Sequence, residues 1–229
     1  LKNKKHVITA NKALISKHGD YLTSIAEKNK VNLEFEAAVG GGIPVLRTIK
    51  EGLATNKILK VYGILNGTCN YILTEMEAGK SYEDVLKTAQ KLGYAEADPS
   101  GDVEGHDAAG KLVILANLLM SLPLTVRDVE CQGITQLAPE DIVAALKVNE
   151  RWKLIGVVEK TKRGINASVM PTRVAVHHPL SSISGVTNAI TYTTDLLGKV
   201  TLVGPGAGRI ETGYALIQDM LAIHRKGSP

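Results

Sequence analysis

Aromatic side chains are scarce in this sequence: one Phe, one Trp and seven Tyr among 229 residues. None is interleaved with Lys2, Lys4 and Lys5, the only basic cluster, and the formal net charge is just +4. A nucleic-acid surface joins basic density to stacking groups, so no nucleic-acid partner is expected and these lysines read as a solvated strand approach. Cysteine is scarcer still. Cys69 and Cys131 stand far apart and form no CxxC pair, which gives no sign of a zinc site or a disulfide framework and fits reduced thiols in the cytoplasm. Long hydrophobic runs are missing too. The longest, residues 112–124, is broken by Asn117, Ser121 and Pro123; it is too short to cross a bilayer, and no membrane partner is expected. Neither a signal-peptide pattern nor an initiator Met opens the chain, which starts at Leu1 just before a strand-like segment. The expectation is a cytoplasmic chain that forms part of a longer protein. Its length allows a sizeable core in one large domain or two smaller ones.

What is present begins with residues 6–10 (HVITA), a short buried strand ending at Asn11 and Lys12. A helix is expected from about residue 20, with Leu22, Ile25 and Ala26 on one face, and a second strand over 33–39. Strand, helix, strand is the cadence of a parallel α/β unit, whose ligands gather at the carboxyl ends of strands, where Lys12 falls. On spacing alone Lys12 is either a solvated lysine or a site residue. Gly40, Gly41 and Gly42 permit a tight connection or a close backbone approach before Pro44, which suits a helix start over 45–53. Residues 58–65 read as a strand ending in the turn signal Asn66-Gly67-Thr68, with Thr68 expected to cap a helix over 69–77. Ser81 with Asp84 resembles a capping box, and Pro139 opens another helix with Glu140 and Asp141 in its first turn.

From Arg151 the texture changes. Residues 152–161, 167–176 and 186–193 are strand-like and joined by short turns such as Lys162-Arg163-Gly164, which argues for an antiparallel sheet. His177 and His178 are neighbours on an extended segment, point opposite ways and read as a turn, not a metal pair. Residues 200–203 lead through Gly204-Pro205-Gly206-Ala207-Gly208 into an amphipathic helix over 211–225. Free N–H groups at such a helix start can cradle an anion, although GPGAG lacks the spacing of either phosphate-loop fingerprint.

Residues 92–111, LGYAEADPSGDVEGHDAAGK, are the densest chemistry in the chain. Glu96, Asp98, Asp102, Glu104 and Asp107 feed an apolar helix expected from His106, where Asp107 and Lys111 are four residues apart on one face. A calcium loop fails, because Val103 and Ala109 stand where glycine and glutamate are needed. Two readings stay open: a solvated loop, or a polar substrate site in which carboxylates bind an ammonium and a lysine exchanges a proton with a hydroxyl or carbonyl.

Several segments together resemble the homoserine dehydrogenase family: VITANK (7–12), EAAVGGGIP (36–44), GILNGTCNYIL (63–73), residues 92–111 and the GPGAG-to-helix ending. They fall in the family's order across essentially the whole chain, without the opening strand–GxGxxG–helix of its dinucleotide fold. The resemblance implies an α+β fold. Its mixed, largely antiparallel sheet is covered by helices, as in the C-terminal domain of glyceraldehyde-3-phosphate dehydrogenase, beside a remnant of a Rossmann-type α/β domain. It implies that residues 1–38 trail a nucleotide-binding domain, 39–203 form a substrate-binding and dimerisation domain, and 204–229 return to the nucleotide-binding domain. The activity implied is reversible oxidation of L-homoserine to L-aspartate 4-semialdehyde with NADP or NAD, in threonine, methionine and isoleucine biosynthesis, by a homodimer or higher homo-oligomer.

By motif, Lys111 resembles the proton donor and acceptor, and Lys12 the second lysine between nicotinamide and substrate. Glu96 resembles the ligand of the substrate ammonium, supported by Tyr94, Asp102, Asp107 and Thr68. Asn66 and Gly208 resemble cofactor contacts, while Glu36, Val39, Gly41 and Ile43 match a sodium site of mostly main-chain carbonyls. Gly110, beside Lys111 in a helix interior, is a departure and reads as close helix packing. Two rivals stand beside this reading. One is a related semialdehyde or hydroxy-acid dehydrogenase, whose phosphorylating form needs a cysteine nucleophile that only Cys69 offers. The other is a non-catalytic amino-acid-binding or dimerisation module.

Overall fold

In the computed structural model, which describes residues 1–162 and 164–227, the opening α/β unit is present but shorter than its sequence pattern. Strands β1 (Val7–Ile8) and β2 (Leu33–Glu34) pair in parallel. Helix α1 (Lys12–Asn29) begins well before the expected residue 20, because the Asn11 side chain accepts the Leu14 N–H at 2.9 Å and caps the helix directly at the strand's end. Strand β2 does not run to Val39. Residues Glu36–Ala38 wind into a 3-10 turn that buries Glu36. Its two carboxylate oxygens accept the N–H groups of Leu46 and Arg47 at 2.7 and 2.8 Å, at the start of α2 (Val45–Arg47). Satisfying those orphan helix-start donors outweighs one more turn of strand.

The main sheet has six strands in the order β4-β6-β5-β3-β7-β8. These are β3 (Ile58–Ile64), β4 (Glu130–Cys131), β5 (Glu150–Thr161), β6 (Gly164–Ala175), β7 (Thr187–Thr194) and β8 (Lys199–Pro205). Every neighbouring pair is antiparallel except β4 with β6, so the α+β class with a mixed, largely antiparallel sheet holds. The β5–β6 hairpin closes with Thr161 opposite Gly164. Arg163, inside the expected turn, lies outside the described residues, as do Ser228 and Pro229. Strand β4 is a short edge that no alternating pattern announces.

Helices α3 (Gly67–Glu77), α4 (Tyr82–Lys91), α6 (His106–Met120) and α7 (Pro139–Lys147) gather over one face of the sheet. Leu65, Ile72, Leu73, Leu112, Leu115 and Leu154 meet in that core. Helix α6 is buried from Ala108 to Ala116 except at Lys111, which matches its unbroken apolar sequence. Helix α3 is capped by Asn66, whose Oδ1 accepts the Cys69 N–H at 2.8 Å, and not by Thr68, which lies inside the first turn. Ser81 caps α4 as expected, with the Asp84 N–H 3.2 Å from its Oγ. On the opposite face a smaller cluster joins Ile64, Ile155, Leu180, Ile183 and Ala189. Between α4 and α6, α5 (Ser100–Val103) is one short turn of the acidic stretch. The last helix, α8 (Arg209–Gly227), packs back on the Glu36–Ala38 turn: Asp219, 1 % exposed, accepts the Glu36 N–H and the Arg47 guanidinium, each at 3.0 Å.

Candidate active site

The end of β3, the starts of α3 and α6, the turn after α4 and the glycine loop after β8 enclose a cleft of about 450 Å³. Each wall follows from a local rule. Asn66 ends β3 and caps α3; Gly105, at φ +87°, turns the acidic stretch into α6; and the i,i+4 spacing then sets Asp107 and Lys111 on one helix face. The Lys111 ammonium lies 2.8 Å from Asp107 Oδ2 and donates to the Leu65 carbonyl at 2.7 Å. Its third N–H has no protein acceptor among the described residues. Lys12, from the first turn of α1, pairs with Oδ1 of the same carboxylate. The fold joins the two lysines through Asp107.

Electrostatics keep that carboxylate charged. Burial works against the ion, yet Lys111 and then Lys12 outweigh it and hold Asp107 well below the usual carboxylate range. Asp102 behaves in the opposite way. Burial raises its pKa and the Asp107 charge adds to the rise, while the Asn66 amide, at 2.7 Å, opposes it. Asn66 also donates to Asp107 Oδ2 at 3.0 Å. Both amide hydrogens of Asn66 are thus committed within the protein, which leaves only its oxygens for any further contact.

Glu96 and Tyr94 stand at the exposed rim. The Glu96 carboxylate meets no hydrogen-bonding partner among the described residues, while its carbonyl is held by Gln90 at 3.1 Å. Tyr94 packs edge-on against Tyr71 at 5.2 Å, and its carbonyl accepts the Thr68 hydroxyl at 2.7 Å. Gly208 lines the same cleft. At the start of α8 the Glu211 carboxylate already lies against Gly208 in the helix's first turn, which weakens the anion-cradle reading there.

Glu36, Val39, Gly41 and Ile43 are not in the cleft but directly behind it. Gly41, at φ +57°, is pressed on the glycine loop so closely that a Cβ there would come within 2.6 Å of the Gly206 backbone, and the Gly42 N–H donates to the Pro205 carbonyl at 3.2 Å. No cluster of three or more His, Cys, Asp or Glu suited to a metal occurs among the described residues. Oxygen donors for a cation at this turn are therefore main-chain carbonyls and the lone pairs Glu36 has left beside its two N–H bonds. Lining residues the sequence reading missed include Gly93, Val186 and Ala207. Gly93 had a signal, a glycine at φ +75° inside the LGY motif; Val186 had none, because the loop before β7 reaches the cleft only in the folded chain. Cys69 is fully buried, donates to the Asp102 carbonyl at 3.1 Å and is pushed well above the usual thiol range by burial and nearby carboxylates. It is not an activated nucleophile.

This geometry coincides with strong similarity to known proteins. A family model described as homoserine dehydrogenase matches residues 44–221. An NAD(+)-dependent homoserine dehydrogenase of Pseudomonas canavaninivorans is 49% identical over 229 residues, covering 100% of this chain and 65% of that protein. The crystal structure of a homoserine dehydrogenase from Thiobacillus denitrificans superposes with a TM-score of 0.93 at 41% identity, over 96% of this chain and 52% of that one. A hyperthermophilic archaeal homoserine dehydrogenase in complex with NADPH gives 0.85 at 31% identity, over 99% of this chain and 66% of that one. The chain thus spans about half to two thirds of the length of these relatives, and it belongs to the homoserine dehydrogenase family.

Proposed function

We propose that the protein containing this chain is an NAD- or NADP-dependent homoserine dehydrogenase, oxidising L-homoserine reversibly to L-aspartate 4-semialdehyde. The observation that carries this reading is the Lys111–Asp107 pair in the cleft wall, backed by Lys12 on the same carboxylate, with the Glu96 carboxylate at the exposed rim and without a partner among the described residues. A substrate bearing an ammonium at one end and a hydroxyl at the other spans those two features. Glu96 binds the ammonium, with Tyr94, Thr68 and Asp102 shaping the pocket. Lys111 in its neutral form takes the hydroxyl proton as the carbon loses hydride, and its ammonium returns the proton in the reverse direction. Asp107 orients both amines, and Lys12 adds positive charge beside the reacting oxygen.

Of the four glycines that line the cleft, only Gly93 is open at its Cβ position; at Gly67, Gly206 and Gly208 that space is taken by Val186, Asn188 and Glu211, so the glycines bring the backbone itself to the cleft wall. A nicotinamide cofactor would lie along this wall, held by Gly208 and the Asn66 main chain with Lys12 behind Asp107, and would supply the hydride exchange. One of the similar proteins is described as NAD(+)-dependent and another is in complex with NADPH. A sodium ion at the Glu36–Ile43 turn would brace the glycine loop from behind. The domain division at 38/39 and 203/204 follows the same reading, as does the biosynthetic pathway. A homodimer is supported by the sheet face opposite the helices, where Tyr62, Val157, Val174 and Thr193 line an open groove of about 290 Å³.

The full-length protein should oxidise homoserine with NAD+ or NADP+, and Lys111→Ala should lose at least about 100-fold in kcat. Full activity in that variant removes Lys111 from the proton transfer; no homoserine oxidation by the wild type removes the activity. The rival phosphorylating reading has no support from Cys69, which is buried and unactivated.

A further inference from the structure

Lys111 is held from two sides, by Asp107 and by the Leu65 carbonyl. The carboxylate is tethered by Asn66 and Lys12. Leu65, however, lies just past the last paired residue of β3, Ile64, so no ladder bond fixes its carbonyl. Asn188, on β7, does: its Nδ2 donates to that carbonyl at 3.1 Å. Asn188 is 1 % exposed, and its Oδ1 is buried with no hydrogen-bond partner among the described residues.

An orphaned buried oxygen is unfavourable, and an apolar residue of the same shape would avoid it. Without the asparagine the Leu65 carbonyl would still accept from Lys111, so the Asn188 bond offsets the orphaned oxygen only in part and stability is a weak reason for an asparagine beside the fully buried Ala189 and Ile190. The same amide fills the space over Gly206, where a Cβ would collide with it, and its Oδ1 lies 3.4 Å from the Cβ position of Gly67. Asn188 stands where the lysine's anchor, the start of α3 and the glycine loop meet.

We propose that Asn188 is a positioning residue for proton transfer: its amide fixes the Leu65 carbonyl so that Lys111 keeps its remaining N–H directed at the substrate oxygen. This rests on the acid–base reading of Lys111. In the full-length protein, Asn188→Leu removes both the donor and the orphaned oxygen at similar volume. The thermal midpoint is expected to hold or rise and KM for homoserine to stay within about twofold, while kcat falls roughly tenfold, the loss of one hydrogen bond to a charged group's support. In a Lys111→Ala background the same change should alter the residual rate by less than about twofold, because its effect runs through the missing amine.

Wild-type kcat in Asn188→Leu, a kcat loss that accompanies a lowered thermal midpoint, or an undiminished loss in the Lys111→Ala background each overturns the proposal. Should the leucine variant not fold, Asn188→Ser, too short to reach the Leu65 carbonyl, is read by the same measurements and the same criteria. Full activity in Lys111→Ala sinks the acid–base reading itself; loss of activity there with an indifferent Asn188→Leu sinks only the role of Asn188.

Discussion

At the scale of single residues, the site is a chain of hydrogen bonds that Asn66 starts. Its Oδ1 caps α3 while its Nδ2 serves Asp102 and Asp107. Asn66→Ala should therefore lower stability by about 1–2 kcal/mol, the range for a lost helix cap, and lower kcat/KM because Asp107 is no longer held. Urea unfolding with steady-state kinetics checks both; an unchanged kcat/KM would mean that the two lysines alone hold Asp107. Gly110 behaves differently from its sequence reading. A Cβ there would meet the Lys12 stem at 3.7 Å, an ordinary contact, so packing does not demand glycine. Gly110→Ala should stabilise the protein by up to ~1 kcal/mol through helix propensity, with activity retained. A fall in the thermal midpoint would show that α1 and α6 approach more closely than this.

Among the elements, α8 is fixed to the Glu36–Ala38 turn by a clamp of buried polar groups. Asp219 takes the Glu36 N–H and Arg47, and Glu36 takes the helix-start N–H groups of Leu46 and Arg47. Through Gly41 and Gly42 that turn touches the loop carrying Gly206 and Gly208, so the clamp sets one wall of the cleft from behind. Removing one partner leaves the other buried and unpaired. Asp219→Ala is expected to destabilise by about 2 kcal/mol, less than a fully buried pair because Arg47 keeps some water contact, and to raise KM for the cofactor more than for homoserine. Equal changes in the two KM values would separate the clamp from the loop.

Across the whole molecule, buried carboxyls govern the response to pH. Burial is the leading cause of the raised pKa of Glu36, Glu77, Asp102 and Asp219. Each folded value lies above the unfolded value of about 4, so between the two the folded state binds more protons and stability falls as pH rises. Asp107 has the reverse sign. Its folded value is depressed, so its contribution is complete above about 3.9 and disappears only as pH falls through that low folded value. As pH is lowered toward the unfolded carboxyl value of about 4, the four raised carboxyls should increase the thermal midpoint, against the smaller opposite effect of His178, whose pKa burial lowers, and Asp219→Asn should reduce that rise. A midpoint falling steadily over the same interval would contradict the assignment. No helix among the described residues is long and apolar enough to cross a membrane.

The sequence by itself determined the elements whose signals are local. The Ser81 cap sits in the capping pattern it displays, Pro139 starts α7, the continuous apolar run makes α6 a buried helix, and the i,i+4 spacing pairs Asp107 with Lys111, whereas the α3 cap moved from the expected Thr68 to Asn66. Of the residues the resemblance named, those from Asn66 to Lys111 and Gly208 line the cleft, whereas Lys12 and the Glu36–Ile43 set do not. What only the tertiary structure decided involves partners distant in sequence. Strand β2 ends early because Glu36 meets α2 and α8; β4 becomes a strand because β6 offers it an edge; Lys12 reaches Asp107 from another helix; and Asn188 arrives under Lys111 through the β3–β7 pairing. Local propensity is written in neighbouring residues, whereas burial and hydrogen-bond satisfaction are settled between segments that meet only once the chain has folded.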